Sequence, residues 1–237
     1  IYRIPERGFV ATHLRHEDGA GVKHGFAVTE QGFDLHFADR LILSHSADRP
    51  VVRLARGNPT VEMVRGNFRI EDAPEGEIAP QLWSLDGDVV ELADGDGPAV
   101  RLSFDGDGVL GVELLRPGYD RIHVFFAAEP DETVWGGGEQ MSYLALNGRA
   151  YPIWTSEPGV GRDKSTELTR LMDEQGMAGG DYWNTNYPQP TFLTSRWLAV
   201  HCTSAAYSVL DFTDPARHRV EVWAPTTTFE LFAASGP

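Results

Sequence analysis

The sequence is poor in the features that mark several large classes of protein. It has one cysteine, Cys202, among 237 residues. An internal disulfide therefore cannot form, which fits a reducing compartment, and we expect a cytoplasmic protein. Lys and Arg together number 20 against 35 Asp and Glu, so the formal net charge of −15 disfavours nucleic acid and anionic membrane as partners. No apolar run is long enough to span a bilayer, and no Met-initiated signal sequence is present.

Several motifs of catalysis and cofactor binding are also missing or incomplete. There is no G-x-S-x-G elbow, so serine hydrolase chemistry has no support. The run GVGRDKST at 159–166 resembles a phosphate loop, but Asp163 stands where that loop has glycine and would repel phosphate. His13 and His16 have no evident third ligand for a metal, and Cys202 alternates with apolar residues as a buried strand cysteine does. We therefore expect neither a metal nor another cofactor.

What the sequence does contain is short, alternating strand patterns separated by turn residues. Phe33, Leu35 and Phe37 share one face of such a run. Asp-Gly pairs, which suit turns with positive φ, separate the strand-like runs that follow, at 86–87, 94–95 and 105–106. Only residues 165–175 have a helical pattern. The chain is predicted to be mainly β, a single antiparallel β-sandwich domain over residues 1–237 with long irregular loops and little helix.

The stretch from Trp135 to Arg196 departs from this alternation. Glycines cluster within it, and four prolines forbid a long helix or an ordinary central strand. Its aromatic content argues against disorder, and long irregular segments in compact domains are usually functional. The glycines are Gly136, Gly137, Gly138, Gly159, Gly161, Gly179 and Gly180, and the prolines are Pro152, Pro158, Pro188 and Pro190. We expect a structured loop system built for a site.

Five residues of this segment are candidate substrate-binding residues. Glu139 and Gln140 follow the triple glycine, where a turn would present them. Trp154 offers a rigid anchor, and Glu157 follows it closely. Arg162 comes after two glycines, and its planar fork suits an anion. Since neither Glu139 nor Glu157 has a partner at a predictable distance, the chain alone does not define a two-carboxylate glycosidase site.

The same segment carries a family resemblance. The runs WGGGEQMSYLALNGRAYPIWTSEPGVGR, AGGDYWNTNYPQPTFLTSR and VHCTSAAYSVLDF resemble the N-terminal region of glycoside hydrolase family 31. The Trp-Thr-Ser-Glu loop at 154–157 and the run YPQPTF at 187–192 are similar to the sulfoquinovosidase branch rather than to the α-glucosidase branch. The resemblance is specific over about 135–213.

The resemblance implies a galactose-mutarotase-like β-sandwich that packs on a (β/α)8 barrel and lends a loop, here 135–196, to the pocket. It implies that the barrel supplies an Asp nucleophile and an Asp acid/base for retaining hydrolysis of α-glycosides, including sulfoquinovosyl glycerol. No βα repeat is present in this sequence. The chain is therefore expected to be a non-catalytic portion of the enzyme, with a carbohydrate substrate and the family's own barrel as partners.

Three alternatives remain open at this point. The longer protein would be an α-glucosidase or α-xylosidase of the same family, or the chain would be a free-standing carbohydrate-binding sandwich. An epimerase of the mutarotase type would need a histidine and a carboxylate facing one sugar. His123 and His201 are the candidates for that role, and both lie in strand patterns.

Overall fold

The computed structural model of the chain describes residues 24–64 and 66–236. His13 and His16 lie outside the described residues. In chain order the first strands are β1 (Gly25–Val28), β2 (Gly32–Phe37), β3 (Arg40–Ser46), β4 (Val52–Gly57), β5 (Thr60–Val64), β6 (Asn67–Glu71), β7 (Pro74–Ile78), β8 (Leu82–Asp86), β9 (Val89–Asp94) and β10 (Gly97–Phe104). They are followed by β11 (Val109–Leu114), β12 (Arg121–Ala127), β13 (Val134–Gly138), β14 (Ala150–Ile153), α1 (Glu167–Glu174), β15 (Pro188–Thr194), β16 (Leu198–Cys202), β17 (Ser208–Asp211), β18 (Arg217–Val222) and β19 (Thr226–Ala233).

Two large antiparallel sheets form the body of the domain. One has eight strands in the order β13-β15-β16-β19-β11-β10-β9-β8, and the other has six in the order β14-β17-β18-β12-β4-β7. Two smaller sheets, β1-β2-β3 and the hairpin β5-β6, accompany them. The predicted antiparallel β-sandwich is confirmed, and the two small sheets were not anticipated.

The Asp-Gly turns connect neighbouring strands of the larger sheet, as their spacing predicts. Strands β8 to β11 lie side by side in chain order. The carboxylate of Asp105 accepts hydrogen bonds from the backbone N–H groups of Asp107 and Val109, both at 2.9 Å, which fixes the last turn. In the middle turn the glycine with positive φ is Gly97, at 107°, two residues beyond the Asp-Gly pair itself.

The core lies between the two large sheets. In β19 every second residue is buried, so Thr227, Phe229 and Leu231 point inward. The ring of Phe229 meets that of Phe126, from the six-stranded sheet, edge to face with centroids 5.1 Å apart. Phe192 of β15 packs on the same ring at 6.0 Å. These contacts join the sheets into one apolar layer.

The segment 135–196 is more regular than its sequence indicates. It contains β14, α1 and β15, and α1 falls within the stretch 165–175 where a helix was predicted. Strand β14 lies at the edge of its sheet, a position that tolerates Pro152. Strand β15 lies between two neighbours, but its pairing with β16 begins only at Thr191, so Pro188 and Pro190 do not interrupt that ladder. Within the described part of the chain, no helix is long and apolar enough to cross a membrane.

Candidate functional site

The triple glycine forms the end of β13, the edge strand of the eight-stranded sheet. Gly136, Gly137 and Gly138 all have positive φ, between 71° and 121°, and the register of β13 against β15 shifts between Gly136 and Gly138. A Cβ at Gly138 would overlap the backbone of Tyr187 and Gln189. Any other residue at Gly138 would have an unfavourable positive φ, and its Cβ would clash with the neighbouring backbone. The sequence Gly-Gly-Gly therefore specifies this bulged strand end.

Glu139 and Gln140 follow directly from this bulge. The N–H of Glu139 donates to the carbonyl of Tyr187 at 3.0 Å, and the carboxylate of Glu139 is exposed. The side-chain amide of Gln140 donates to the carbonyl of Gly137 at 2.8 Å, which folds the side chain back on the turn. The backbone position of Glu139 is therefore fixed, while its carboxylate makes no hydrogen bond or ion pair within the part of the chain that the structure describes.

Arg162 holds three parts of the segment together. It is a non-glycine residue with φ of 60°. Its Nε donates to Ser142 Oγ at 3.0 Å, and its Nη2 donates to the carbonyls of Tyr182 and Asn184 at 3.1 and 2.8 Å. These interactions commit most of the guanidinium to the protein itself and leave Nη1, 3.6 Å from the sulfur of Met141, as its most accessible edge.

Asn184 is the buried centre of the same network. Its side-chain amide donates to Ser156 Oγ at 2.9 Å, and its side-chain oxygen accepts from the N–H of Asp181. The N–H of Ser156 in turn donates to the carbonyl of Thr185 at 3.0 Å. Residues 156 and 181–185 are thus bound to each other with Arg162 across them. No spacing in the sequence indicates that Ser156, Asn184 and Thr185 are the residues that do this.

Trp154 faces the hairpin β5-β6 on another side of the segment. Its ring packs against Phe68 at 5.2 Å and against Tyr207 at 5.8 Å. Together with Trp183 these rings line a cavity of about 170 Å³. The structure therefore places Trp154 between the hairpin and the loop, whereas Arg162 contacts the turn that follows Gln140.

Glu157 lies on the exposed surface between these two groups. Its carboxylate makes no hydrogen bond or ion pair with the described residues, and a Cβ added at Gly66, in the turn of the hairpin, would lie 3.8 Å from the Cγ of Glu157. Gly159 and Gly180 beyond it lie in two loop segments whose backbones touch, and a Cβ on either glycine would overlap the backbone of the opposite segment. The glycine clusters of the sequence are thus explained by two chain segments passing very close together.

Comparison with known proteins assigns the chain to a family. The chain is 47% identical over 210 residues to a curated sulfoquinovosidase of Agrobacterium fabrum, and 36% identical over 217 residues to one of Escherichia coli. A solved family 31 sulfoquinovosidase from E. rectale superposes on 89% of the chain with a TM-score of 0.76 at 35% identity. The chain belongs to glycoside hydrolase family 31.

This family 31 chain matches only part of its relatives. Each curated alignment covers 88% of the chain, and the chain spans about a third of the relatives' length, 32% in both cases. The same share, 32%, holds for the solved sulfoquinovosidase. No protein-family model matches the chain.

Several ionisable side chains in and around the segment 135–196 are buried or ion-paired, in contrast to Glu139 and Glu157. Burial lowers the pKa of Arg162, and only the carboxylate of Asp181 opposes this. Burial raises the pKa of Tyr207 to about 12, so this phenol stays neutral beside Trp154. Lys164 and Arg69 share the carboxylate of Asp173 at 3.2 and 3.6 Å, which ties α1 to the hairpin. The contacts of these groups are all within the protein, while Glu139 and Glu157 are exposed.

Proposed function

We propose that the chain is the β-sandwich portion of a longer retaining α-glycosidase that hydrolyses α-sulfoquinovosides such as sulfoquinovosyl glycerol. The observation that carries this proposal is the 47% identity with a curated sulfoquinovosidase over 88% of the chain. The catalytic Asp pair belongs, in this proposal, to a (β/α)8 barrel in the remaining two thirds of the protein. The protein acts in the cytoplasm.

An exposed apolar stripe supports the presence of a further packed domain. Trp135, Leu193, Ala199 and Phe232 are cross-strand neighbours on the outer face of β13, β15, β16 and β19. Leu193 is 49% exposed and Phe232 is 57% exposed, and Trp197 lies beside them at 47%. A row of large apolar side chains over four strands usually marks an interface. The barrel of the same polypeptide is the partner that we propose for this stripe.

The segment 135–196 has the proposed role of walling the barrel pocket near the leaving group. Glu139 and Glu157 are the two members of the predicted set whose side chains are free to meet a substrate. Gln140, Trp154 and Arg162 hold the backbone that carries them, through the contacts with Gly137, Phe68 and Asn184. A carboxylate in this position would accept hydrogen bonds from the hydroxyl groups of a glycerol-like aglycone, each contributing about 1.5–3 kcal/mol.

The activity itself is tested with the longer polypeptide. It should release nitrophenol from 4-nitrophenyl α-sulfoquinovoside with retention of configuration, and much faster than from 4-nitrophenyl α-glucoside or α-xyloside. The 237-residue chain alone should release none, because the catalytic carboxylates are proposed to lie elsewhere. Preference for the unsulfonated glucoside or xyloside would move the protein to another activity of the family. Hydrolysis by the purified chain alone would refute the proposal that the catalytic carboxylates lie outside it.

The role of the segment is tested by Glu139→Gln and Glu157→Gln in the longer protein. If the carboxylates bind substrate, each change should lower kcat/KM on sulfoquinovosyl glycerol about tenfold while the Tm stays nearly constant. Glu174→Gln, an exposed carboxylate on α1 in the same segment, is the matched control and should change neither quantity. If both variants keep the wild-type kcat/KM, or lose activity only in step with Tm, the segment packs a domain interface and binds no substrate.

A further inference from the structure

On the outer face of the six-stranded sheet, Arg53, His123 and Arg219 carry buried nitrogen atoms that make no hydrogen bond. Both faces of β12 are covered, and the residue at its centre on the outer side, His123, is only 6% exposed. Its Nδ1 lies 3.4 Å from Glu77 and its Nε2 lies 3.5 Å from Glu221, and neither nitrogen makes a hydrogen bond. A buried imidazole in this state is unusual, because buried polar atoms nearly always have a hydrogen-bond partner.

The two carboxylates beside His123 each accept a hydrogen bond from another side chain. Glu77 accepts a hydrogen bond from Arg53 at 2.9 Å through one carboxylate oxygen, and the other oxygen faces the imidazole. Glu221 is held in the same way by the indole N–H of Trp223, at 2.6 Å. The Nη2 of Arg219 donates to Asp211 at 2.7 Å, which leaves its buried Nε without a hydrogen bond. The members of this array are thus hydrogen-bonded on one side, while both nitrogens of His123 and the Nε of Arg219 make no hydrogen bond.

These side chains line an open cleft of about 570 Å³. That volume lies within the range of small-molecule sites. Arg121 forms one wall, where it stacks on Trp223 at 4.1 Å and is held by Asp72 at 2.6 Å. No residue of the segment 135–196 lines this cleft.

The chemistry of the lining favours one class of ligand. The lining combines donors with acceptors, so both signs of charge face the cleft. The donors are Arg56, Arg121, Arg219 and His123, and the acceptors are Asp72, Glu75, Glu77 and Glu221. An anion would meet the carboxylates, and a cation would meet the guanidinium groups. Among the described residues no group of His, Cys, Asp and Glu is arranged to hold a metal ion. A hydroxyl both donates and accepts, so a ring that carries several hydroxyl groups satisfies both kinds of partner at once.

We propose that this cleft is a second carbohydrate site, which binds a neutral pyranose through its hydroxyl groups. The site belongs to the sandwich alone and needs no residue of the proposed catalytic domain. Burial lowers the pKa of His123, more than the neighbouring carboxylates raise it. The neutral imidazole has one donor and one acceptor nitrogen. Because both nitrogens are buried and face Glu77 and Glu221, a bound hydroxyl group must displace one of these carboxylates to reach the ring.

The test measures the binding of methyl α-D-glucopyranoside to the longer protein by saturation-transfer NMR and calorimetry. Excess sulfoquinovose is present to fill the proposed catalytic pocket. The wild-type protein should bind the glucoside saturably. His123→Gln and Glu221→Gln should each weaken binding about tenfold or more, and kcat/KM on the sulfoquinovoside should change less than about twofold, because the site is separate. Glu77→Gln at the exposed rim provides a third variant that retains the fold if either of the others does not.

Arg101→Ala is the matched control. It removes a charged residue that bridges Glu91 and Glu113 on the other large sheet, and it should leave glucoside binding unchanged. Absence of saturable glucoside binding by the wild-type protein overturns the proposal. So does unchanged binding in Glu77→Gln and Glu221→Gln, which would make the array an ion-pair network only. Saturable glucoside binding by a protein that hydrolyses no sulfoquinovoside would support this site while contradicting the proposed activity.

Discussion

At the scale of single residues, His45 shows how burial sets the response of the domain to pH. It is 2% exposed in β3, stacks on Phe33 with ring centroids 4.9 Å apart, and accepts a hydrogen bond from the N–H of Val51. Burial lowers its pKa from 6.5 to about 4, although a backbone hydrogen bond with Gln81 acts in the opposite direction. Above pH 6.5 the imidazole is neutral in both the folded and the unfolded chain, so it has no pH-dependent effect there.

Below pH 6.5 the unfolded chain binds a proton at His45 that the folded chain does not. The free energy of unfolding should therefore fall as the pH drops from about 6.5 to 4, by roughly 2–3 kcal/mol from this residue. His45→Asn should remove that part of the slope, and His201→Asn, at a half-buried histidine, should keep it. Urea unfolding of the three proteins across this pH range measures the difference. Equal slopes in all three would contradict the assignment.

Residue identity predicted some of these features and not others. Gly136 to Gly138 and the glycines near 159 and 180 are recognisable in the sequence as positions where the backbone needs glycine. The reason for the second group is a contact between chain segments about twenty residues apart, and no local pattern encodes it. The role of Arg162 was also not predictable. Its sequence neighbours indicate an anion site, but its guanidinium donates to two backbone carbonyl groups that lie beyond α1 in the chain.

At the scale of elements, β19 carries the two kinds of surface that define the sandwich. Phe229 is fully buried against Phe126, while Phe232 on the same strand points outward. Phe229→Ala in the 237-residue chain should lower the free energy of unfolding by about 3–5 kcal/mol, because it leaves a cavity between the sheets. Phe232→Ala is the same chemical change at a solvent-facing position, and it should cost less than about 1 kcal/mol. Similar losses in both variants would mean that β19 does not divide core from surface in this way.

Elements were predictable where their pairing is local. The strands β8 to β11 follow from Asp-Gly turns and alternation, because each strand pairs with its neighbour in sequence. Strands β14 and β15 were hidden by their prolines, which are accommodated at an edge and at a strand start. Strand β16 follows β15 through a short turn, but the partners β17 of β14 and β13 of β15 are distant in sequence. Those pairings are fixed by the closing of the sandwich, which no short window of sequence describes.

At the scale of the whole molecule, the apolar stripe links the stability of the domain to its proposed neighbour. In the isolated chain Phe232 faces solvent, and its removal costs little. In the longer protein the same substitution should cost more, since the proposed barrel would cover the side chain and its loss would expose apolar surface of the partner as well. The family was recognisable from residues 135–213, whereas the outer-face cleft at His123 has no sequence motif.

The position of β19 also bears on how the domain is made in the cell. Among the described residues it is the last strand in chain order, yet it lies in the middle of the eight-stranded sheet, between β16 and β11. As the ribosome extends the chain, β8 to β11 emerge and pair early, and β13, β15 and β16 form a separate ribbon later. Until residues 226–233 leave the exit tunnel, both ribbons have an open edge whose N–H and C=O groups are unpaired. The nascent domain is therefore vulnerable to mispairing until β19 has emerged.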